Sequence, residues 1–103
     1  MIVVRYQVKP DRADENQRLV EAVFEELAAT NPAGLSYATI RSADGTFIHI
    51  ADIGADPNPL NEVAAFAAFL SGIDERCEPG QGPNPQQGTW VGSYGFSIRA
   101  PDS

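Results

Sequence analysis

Two strand-like segments, Leu35–Arg41 (LSYATIR) and Thr46–Asp52 (TFIHIAD), lie on either side of Ser42–Gly45 (SADG). Both segments are rich in β-branched and aromatic residues, which favour extended backbone. The Asp-Gly pair between them is typical of a tight turn between paired strands. This stretch therefore predicts an antiparallel hairpin in the middle of the chain.

The residues before the hairpin predict a strand followed by a helix. Apolar side chains alternate along Ile2–Val8, which is the period of a strand. Asp11 follows a proline and is the expected N-cap of a helix that runs to about Thr30. The helix ends before Pro32, because the residue that precedes a proline avoids the α region. Its apolar stripe consists of Leu19, Val20, Val23, Phe24, Leu27 and Ala28.

The residues after the hairpin predict a second helix. Asn58 is its expected cap, with Pro59 at the first helical position. Gly72 weakens this helix and marks either a bend or a close backbone approach, between which the sequence does not decide. The predicted buried stripe consists of Val63, Phe66, Ala67, Leu70 and Ile73.

The last third of the chain predicts a loop and a final strand. Glu78–Pro85 is rich in proline and glycine and is predicted to be a mobile surface loop. Thr89–Ile98 is predicted to be the last strand, and residues 100–103 a frayed tail.

The predicted order β-α-β-β-α-β, with short connections, is typical of a ferredoxin-like α+β domain. Such a domain has a four-stranded antiparallel sheet with two helices on one face, and here it would occupy residues 1–99 as a single unit. The helices leave the other sheet face, which carries residues such as Val3, without a cover. An apolar face of that size favours a homodimer in which two sheets pack face to face.

Composition excludes several classes of partner. The chain has 103 residues and a net charge of −7, whereas nucleic-acid and anionic-membrane binding normally need a basic surface. No apolar run approaches the length of a membrane helix. The first residues do not resemble a signal peptide, so a cytoplasmic protein is expected. Cys77 is the only cysteine, which excludes an internal disulfide and a CxxC site.

The chain resembles the antibiotic biosynthesis monooxygenase-like group of dimeric α/β barrels over about its whole length. The resemblance lies in Val3–Pro10, Gly34–Tyr37, Phe47–Ile50 and Phe66–Phe69, which mostly encode the fold. Members of that group include cofactor-free oxygenases of aromatic quinols, haem-degrading enzymes and proteins without known activity. Haem degradation in the related enzymes depends on a histidine on the second helix, which this chain lacks. This absence argues against haem degradation, so no cofactor is expected, and the shared fold does not choose among the remaining activities.

His49 is the only histidine and the candidate general base, with Tyr37 and Arg41 as its catalytic partners. The parity of the hairpin turn decides which side chains share a face with His49. An even turn groups it with Ala38 and Ile40, and an odd turn groups it with Tyr37, Thr39 and Arg41. The sequence leaves both registers open. A structural role for His49 and a surface salt bridge for Arg41 are the alternative interpretations.

An aromatic ligand pocket is the second candidate feature, and its predicted lining consists of Phe66, Phe69, Trp90 and Tyr94. The alternative is that these rings are simply core. Cys77 falls on the second helix's apolar stripe and is interpreted as a small buried hydrophobe, and no metal site is expected. Two functions follow: a cofactor-independent monooxygenase acting on an aromatic or quinol-type molecule, or a non-catalytic homodimer with a small-ligand-binding or accessory role. An interaction module has only the acidic charge in its favour.

Overall fold

The computed structural model describes residues 1–96, which form an α+β domain with helices packed on a four-stranded antiparallel sheet. The strands lie in the order β2-β3-β1-β4, so the predicted ferredoxin-like fold is confirmed. The predicted tail at residues 100–103 lies outside the described residues. The elements are β1 (Ile2–Gln7), α1 (Ala13–Thr30), β2 (Leu35–Arg41), β3 (Thr46–Ile53), α2 (Ala64–Leu70), α3 (Ile73–Arg76) and β4 (Asn84–Gln87).

The start of α1 differs from the prediction. Pro10–Arg12 form a 3-10 turn, which the Arg12 N–H closes by donating to the Lys9 carbonyl at 2.9 Å. The helix therefore begins at Ala13, and no side chain caps it, so the assignment of Asp11 as the N-cap was wrong. The reason is local. The ring of Pro10 favours a tight turn, and this turn contains Asp11, the residue that was expected to cap the helix.

The second helix is broken into separate pieces. The Asn58 side chain accepts a hydrogen bond from the Leu60 N–H at 3.0 Å, as expected of a cap, but it caps only the 3-10 turn Pro59–Glu62. Extended backbone at Val63 separates that turn from α2, and Gly72 separates α2 from α3 with a left-handed φ of 76°. Gly72 thus marks a break, since left-handed backbone costs glycine little.

This break changes which side chains of α2 are buried. Leu70 is exposed and so is Ala67, although both belonged to the predicted stripe, whereas Phe69 is buried. The predicted stripe is confirmed at Val63, Phe66 and Ile73 and fails at Ala67 and Leu70, because α2 starts afresh after Val63 and ends before Gly72. A side chain from α1 fixes the new start: the Glu26 carboxylate accepts from the Ala64 and Ala65 N–H groups at 3.1 and 2.9 Å.

The last sheet strand lies earlier in the chain than predicted. β4 is Asn84–Gln87 and pairs with β1, so the last two residues of the predicted loop are strand. Pro85 is tolerated because β4 is an edge strand, where a missing N–H disrupts no further pairing. Residues 89–96 of the predicted strand Thr89–Ile98 form no strand, and its last two residues lie outside the described part of the chain.

The β2–β3 hairpin has the odd turn. The Ser42 N–H donates to the Thr46 carbonyl at 2.8 Å and leaves three residues in the turn, the last of them Gly45 with a φ of 86°. His49 therefore lies opposite Thr39, on the face that also carries Tyr37.

This face of the sheet is the one that the helices cover. Its side chains pack against those of α1 and α2 in a single core, which includes Tyr6, Val20, Val23, Phe47, Val63 and Phe69. None of the described helices is both long and apolar enough to cross a membrane.

Candidate functional site

A cavity of about 270 Å³ lies between the covered sheet face and the helical layer. Most of its lining is apolar, and the polar side chains that reach it are two tyrosines, His49 and Asn58. Ligand pockets typically occupy about 300–1,000 Å³, so this space suits one small molecule. The lining residues are Ile2, Val4, Tyr6, Tyr37, His49, Ala51, Ile53, Asn58, Leu60, Phe66, Phe69, Leu70, Ile73, Pro83 and Pro85.

His49 is held on both sides of its ring by hydroxyl groups. Its Nε2 lies 2.7 Å from the Tyr6 hydroxyl, and its Nδ1 lies 2.7 Å from the Tyr37 hydroxyl and 3.0 Å from that of Thr39. The imidazole is buried, with 4% of its surface exposed. The β1–β3 and β2–β3 pairings produce this arrangement, because they place Tyr6 and Tyr37 on the same sheet face as the histidine.

A buried polar chain continues from Tyr6 into the helical layer. Asn16 on α1 donates its Nδ2–H to the Tyr6 hydroxyl at 3.0 Å and accepts from Arg76 Nε at 2.9 Å. Arg76 also donates to the Phe69 and Ser71 carbonyls at 2.6 and 3.0 Å, so it holds the end of α2. Asn16 and Arg76 are 0% and 2% exposed. Such burial is tolerated because every polar atom has a partner.

Burial perturbs the three titratable groups at the cavity. It lowers the pKa of His49 from 6.5 to about 4, because the charged imidazolium loses its hydration. It raises the pKa of Tyr37 to about 12, and it raises the pKa of Tyr6 as well. All three groups are therefore neutral near pH 7. The site supplies hydrogen bonds but no formal charge at the cavity wall.

The structure brings together four of the predicted site residues. Tyr37, His49, Phe66 and Phe69 all line the cavity. Their predicted roles, catalytic for the first two and ligand binding for the others, remain proposals.

Arg41 lies outside the cavity, although it shares the sheet face of Tyr37 and Thr39. It pairs with the Asp14 carboxylate at 3.0 Å and also donates to Gln17. This is the salt-bridge alternative considered from the sequence. From the end of β2, Arg41 reaches the first turns of α1, where Asp14 and Gln17 lie.

Trp90 and Tyr94 were predicted to line the pocket and do not. They follow β4 in a non-strand segment and are 61% and 97% exposed. The prediction placed both on a final strand beside the cavity. That strand is supplied by Asn84–Gln87 instead, so Pro83 and Pro85 take the corresponding positions in the lining.

Three residues of the network were not singled out from the sequence: Tyr6, Asn16 and Arg76. A signal existed for two of them. Tyr6 lies in phase with the inward-facing residues of β1, and Asn16 lies four residues before Val20 on the buried side of α1. A polar residue in such a phase is buried and needs partners. Arg76 carried no comparable signal, because the break at Gly72 decides its position.

No metal or redox centre is evident in residues 1–96. These residues contain no group of three or more potential metal-ligating side chains. Cys77 is buried in the core, as interpreted from the sequence, and burial raises the pKa of its thiol. A thiol of that kind is a poor nucleophile.

Comparison with known proteins agrees with this architecture. No protein-family model and no curated protein matches the sequence. Solved structures do match. One from Caulobacter crescentus CB15, named provisionally as an antibiotic biosynthesis monooxygenase, has a TM-score of 0.62 and 19% identity over 82% of each chain.

Two further structures give the same result. An antibiotic biosynthesis monooxygenase has a TM-score of 0.62 at 18% identity, covering 88% of this chain and 97% of its own. The protein Rv0793 from Mycobacterium tuberculosis has a TM-score of 0.61 at 15% identity, covering 89% of this chain and 96% of its own. Likeness at these identities is a likeness of fold. The chain therefore has the fold of the antibiotic biosynthesis monooxygenase-like proteins, as its sequence motifs indicated.

Proposed function

We propose that this chain is a cofactor-independent monooxygenase-like protein that binds an aromatic or quinol-type molecule in the cavity beside Tyr37 and His49. The observation that carries this proposal is an apolar cavity whose lining includes a hydrogen-bonded tyrosine–histidine pair. The fold shared with structures named as monooxygenases supports it, although a fold alone does not select a reaction.

The shape of the lining favours a flat ligand. Phe66 and Phe69 lie on the helical side with their ring centroids 6.1 Å apart, and Tyr37 lies on the sheet side. Aromatic side chains on opposite walls suit stacking or edge contacts with a ring. A small number of polar groups in an apolar pocket fixes the orientation of such a ligand.

The proposed reaction takes its electrons from the substrate. A hydroquinone and O₂ give a hydroxyquinone and water: one oxygen atom enters the ring, the other leaves as water, and the ring loses four electrons. Tyr37 donates a hydrogen bond to the substrate oxygen on which negative charge develops as the ring is oxidised. His49 holds the Tyr37 hydroxyl in place, since burial keeps its imidazole neutral.

Oxygen uptake with simple hydroquinones tests this proposal. Wild type should consume O₂ faster than the buffer control, and Tyr37→Phe should lower the rate by about a hundredfold if the hydroxyl is an oxyanion donor. Arg41→Gln is the matched control, because Arg41 lies outside the cavity and should leave the rate unchanged. Absence of enzyme-dependent uptake with every hydroquinone tried would exclude the oxygenase.

A non-catalytic ligand-binding protein is the second candidate. The observation that favours it is that no aspartate or glutamate among residues 1–96 lines the cavity. The low pKa of His49 also makes it a weak base. Native mass spectrometry of freshly purified protein separates the two functions. A retained small molecule together with no oxygen uptake would favour binding alone.

We also propose that the protein is a homodimer in which a second copy covers the open sheet face. On this face Val3 lies opposite Ile50 across β1 and β3, and Ile40, which is 56% exposed, lies opposite Ile48 across β2 and β3. Arg5 lies on the other side of Ile48. None of these side chains belongs to the buried core. Light scattering after size exclusion should give twice the 11.1 kDa chain mass. A monomer at micromolar concentration would contradict the dimer.

A further inference from the structure

The buried hydrogen bonds beside the cavity form one continuous chain from Arg76 to Tyr37. Its members are not close in sequence: the Tyr6–His49 step joins residues 43 apart and the Arg76–Asn16 step residues 60 apart. Each step measures 2.7 to 3.0 Å. The hydrogen bonds of such a chain can all be donated in one direction or in the other. One direction ends in a donor at the cavity, and the other ends in an acceptor.

Arg76 fixes the orientation of the Asn16 amide. A guanidinium has only donors, so the Asn16 atom that faces Arg76 Nε must be the carbonyl oxygen. The amide NH₂ must then face the Tyr6 hydroxyl. The reverse orientation would set the amide NH₂ against the Arg76 Nε–H, donor against donor, in a site without water access, since Asn16 is 0% exposed.

Asn16 in turn fixes the proton positions on Tyr6 and His49. The Tyr6 oxygen accepts from Asn16, and its single hydrogen has one remaining acceptor among the described residues, His49 Nε2. If Nε2 carried a proton instead, the buried Tyr6 hydrogen would have no acceptor, and leaving a buried donor unpaired is strongly unfavourable. Nε2 is therefore the unprotonated nitrogen of the neutral imidazole. Nδ1 carries the hydrogen and donates toward the Tyr37 and Thr39 hydroxyls.

We infer that Asn16 and Arg76 are positioning residues that set the direction of this chain, so that every donor points from the protein interior toward the cavity. The chain ends at two hydroxyls, of which that of Tyr37 belongs to a cavity-lining residue. With its lone pair engaged by Nδ1–H, the Tyr37 hydroxyl meets a ligand as a donor.

This direction defines the ligand class, a step that rests on the proposed ligand-binding function of the cavity. A donor at the polar end of an apolar space selects a ligand oxygen that accepts a hydrogen bond, such as an aromatic ketone, a quinone carbonyl or a phenolate. A hydrocarbon of the same shape has no acceptor and therefore forms no hydrogen bond with the Tyr37 hydroxyl.

The tautomer of His49 tests the direction without any ligand. His49 is the only histidine, so untagged protein labelled with ¹⁵N-histidine gives the signals of one imidazole. Long-range ¹H–¹⁵N correlation spectra distinguish a protonated ring nitrogen from an unprotonated one. Wild type is expected to show the Nδ1–H tautomer.

Asn16→Asp should reverse the chain. A carboxylate paired with Arg76 accepts from the Tyr6 hydroxyl, and Tyr6 must then accept from Nε2–H, so the tautomer should switch. Thr39→Val is the matched control, because Tyr37 alone still accepts from Nδ1–H. The inference is wrong if wild type shows Nε2–H or a doubly protonated ring, or if Asn16→Asp folds and keeps the wild-type tautomer. If Asn16→Asp does not fold, the wild-type tautomer decides the direction.

Binding of 1-tetralone and tetralin tests the ligand class. The two molecules share a skeleton, but only the ketone has an acceptor oxygen. Tyr37→Phe should weaken 1-tetralone binding by about tenfold, the equivalent of about one hydrogen bond, and leave tetralin binding unchanged. Equal weakening of both ligands, or failure of 1-tetralone to bind wild type, would refute this ligand class. The NMR result would stand independently, and so would the oxygen-uptake result.

Discussion

The two faces of the sheet differ in what covers them and in the side chains that they carry. The covered face lies beneath the helices, yet it carries His49, Tyr6 and Tyr37, whose polar atoms are all satisfied within the protein. The open face carries aliphatic side chains such as Ile48 and Ile50 with no helix over them. A polar cluster inside an otherwise apolar core and exposed aliphatic side chains on a sheet face both depart from the usual pattern. We therefore assign the proposed binding site to the covered face and the proposed dimer interface to the open face.

The largest expected effect comes from breaking the covered face. Arg76→Met leaves the Asn16 oxygen and the Phe69 and Ser71 carbonyls without donors, which should lower the free energy of unfolding by about 4 kcal/mol. Urea denaturation measures this loss. Arg12→Met is the control. Its half-exposed pair with Glu15 is screened by solvent, so this variant should lose far less stability. A similar loss in both variants would contradict the difference between buried and surface cations.

The next largest effect is a pH dependence of stability that comes from His49. Its folded pKa of about 4 lies below the unfolded value of 6.5, so the folded state disfavours the proton. The contribution of neutral His49 to the free energy of unfolding is complete above about pH 6.5, and it is lost as the pH falls toward 4. It amounts to roughly 3 kcal/mol.

Comparison of unfolding free energies of wild type and His49→Gln between pH 7 and pH 4 isolates this term, since the carboxylates titrate equally in both proteins. Parallel curves would show that burial of the imidazole does not depress its pKa.

A substitution on the open face should change the oligomeric state of the protein. Ile50→Asp places a charge at the centre of the proposed dimer interface and removes a buried side chain worth about 2 kcal/mol, so the dimer should dissociate at least tenfold more readily. Sedimentation equilibrium measures this change. Asp52→Asn, further along β3 on the same face, is the control and should preserve assembly. An unchanged mass for Ile50→Asp would place the interface elsewhere.

The smallest expected effect comes from the cap at the start of α2, the helix that covers this face beside the cavity. Glu26 accepts from two N–H groups at the start of α2, and α2 carries the Phe66 and Phe69 wall of the cavity. Glu26→Gln should cost about 1 kcal/mol in stability, as loss of a charged helix cap does. Thermal unfolding checks this value. Glu25→Gln, exposed on the same helix, should have no comparable effect.

The sequence predicted the local elements well where a few neighbouring residues decide them. The hairpin at Leu35–Asp52 and the helix that ends before Pro32 follow from alternation, turn residues and proline sterics. The predictions failed where distant groups decide. Asn84–Gln87 is a strand because β1 has a free edge beside it, and nothing in its own composition favours a strand.

The candidate site shows the same division. His49 and Tyr37 could be predicted as a pair, subject to the parity of the hairpin turn, because both lie on one hairpin. Asn16 and Arg76 reach the site from two helices, and their roles depend on the break at Gly72 and on the packing of α1 against the sheet.

By itself, then, the sequence determined the order of the elements, their approximate limits and an aromatic, histidine-containing sheet face. These properties depend on backbone sterics and on apolar periodicity, which act over a few residues. Only the tertiary structure decided that an odd turn places His49 beneath the helices. It alone supplied Asn84–Gln87 as the edge strand and aligned the donors from Arg76 to Tyr37. The physical reason is that a buried hydrogen bond depends on which groups meet, and that is settled only when distant segments pack together.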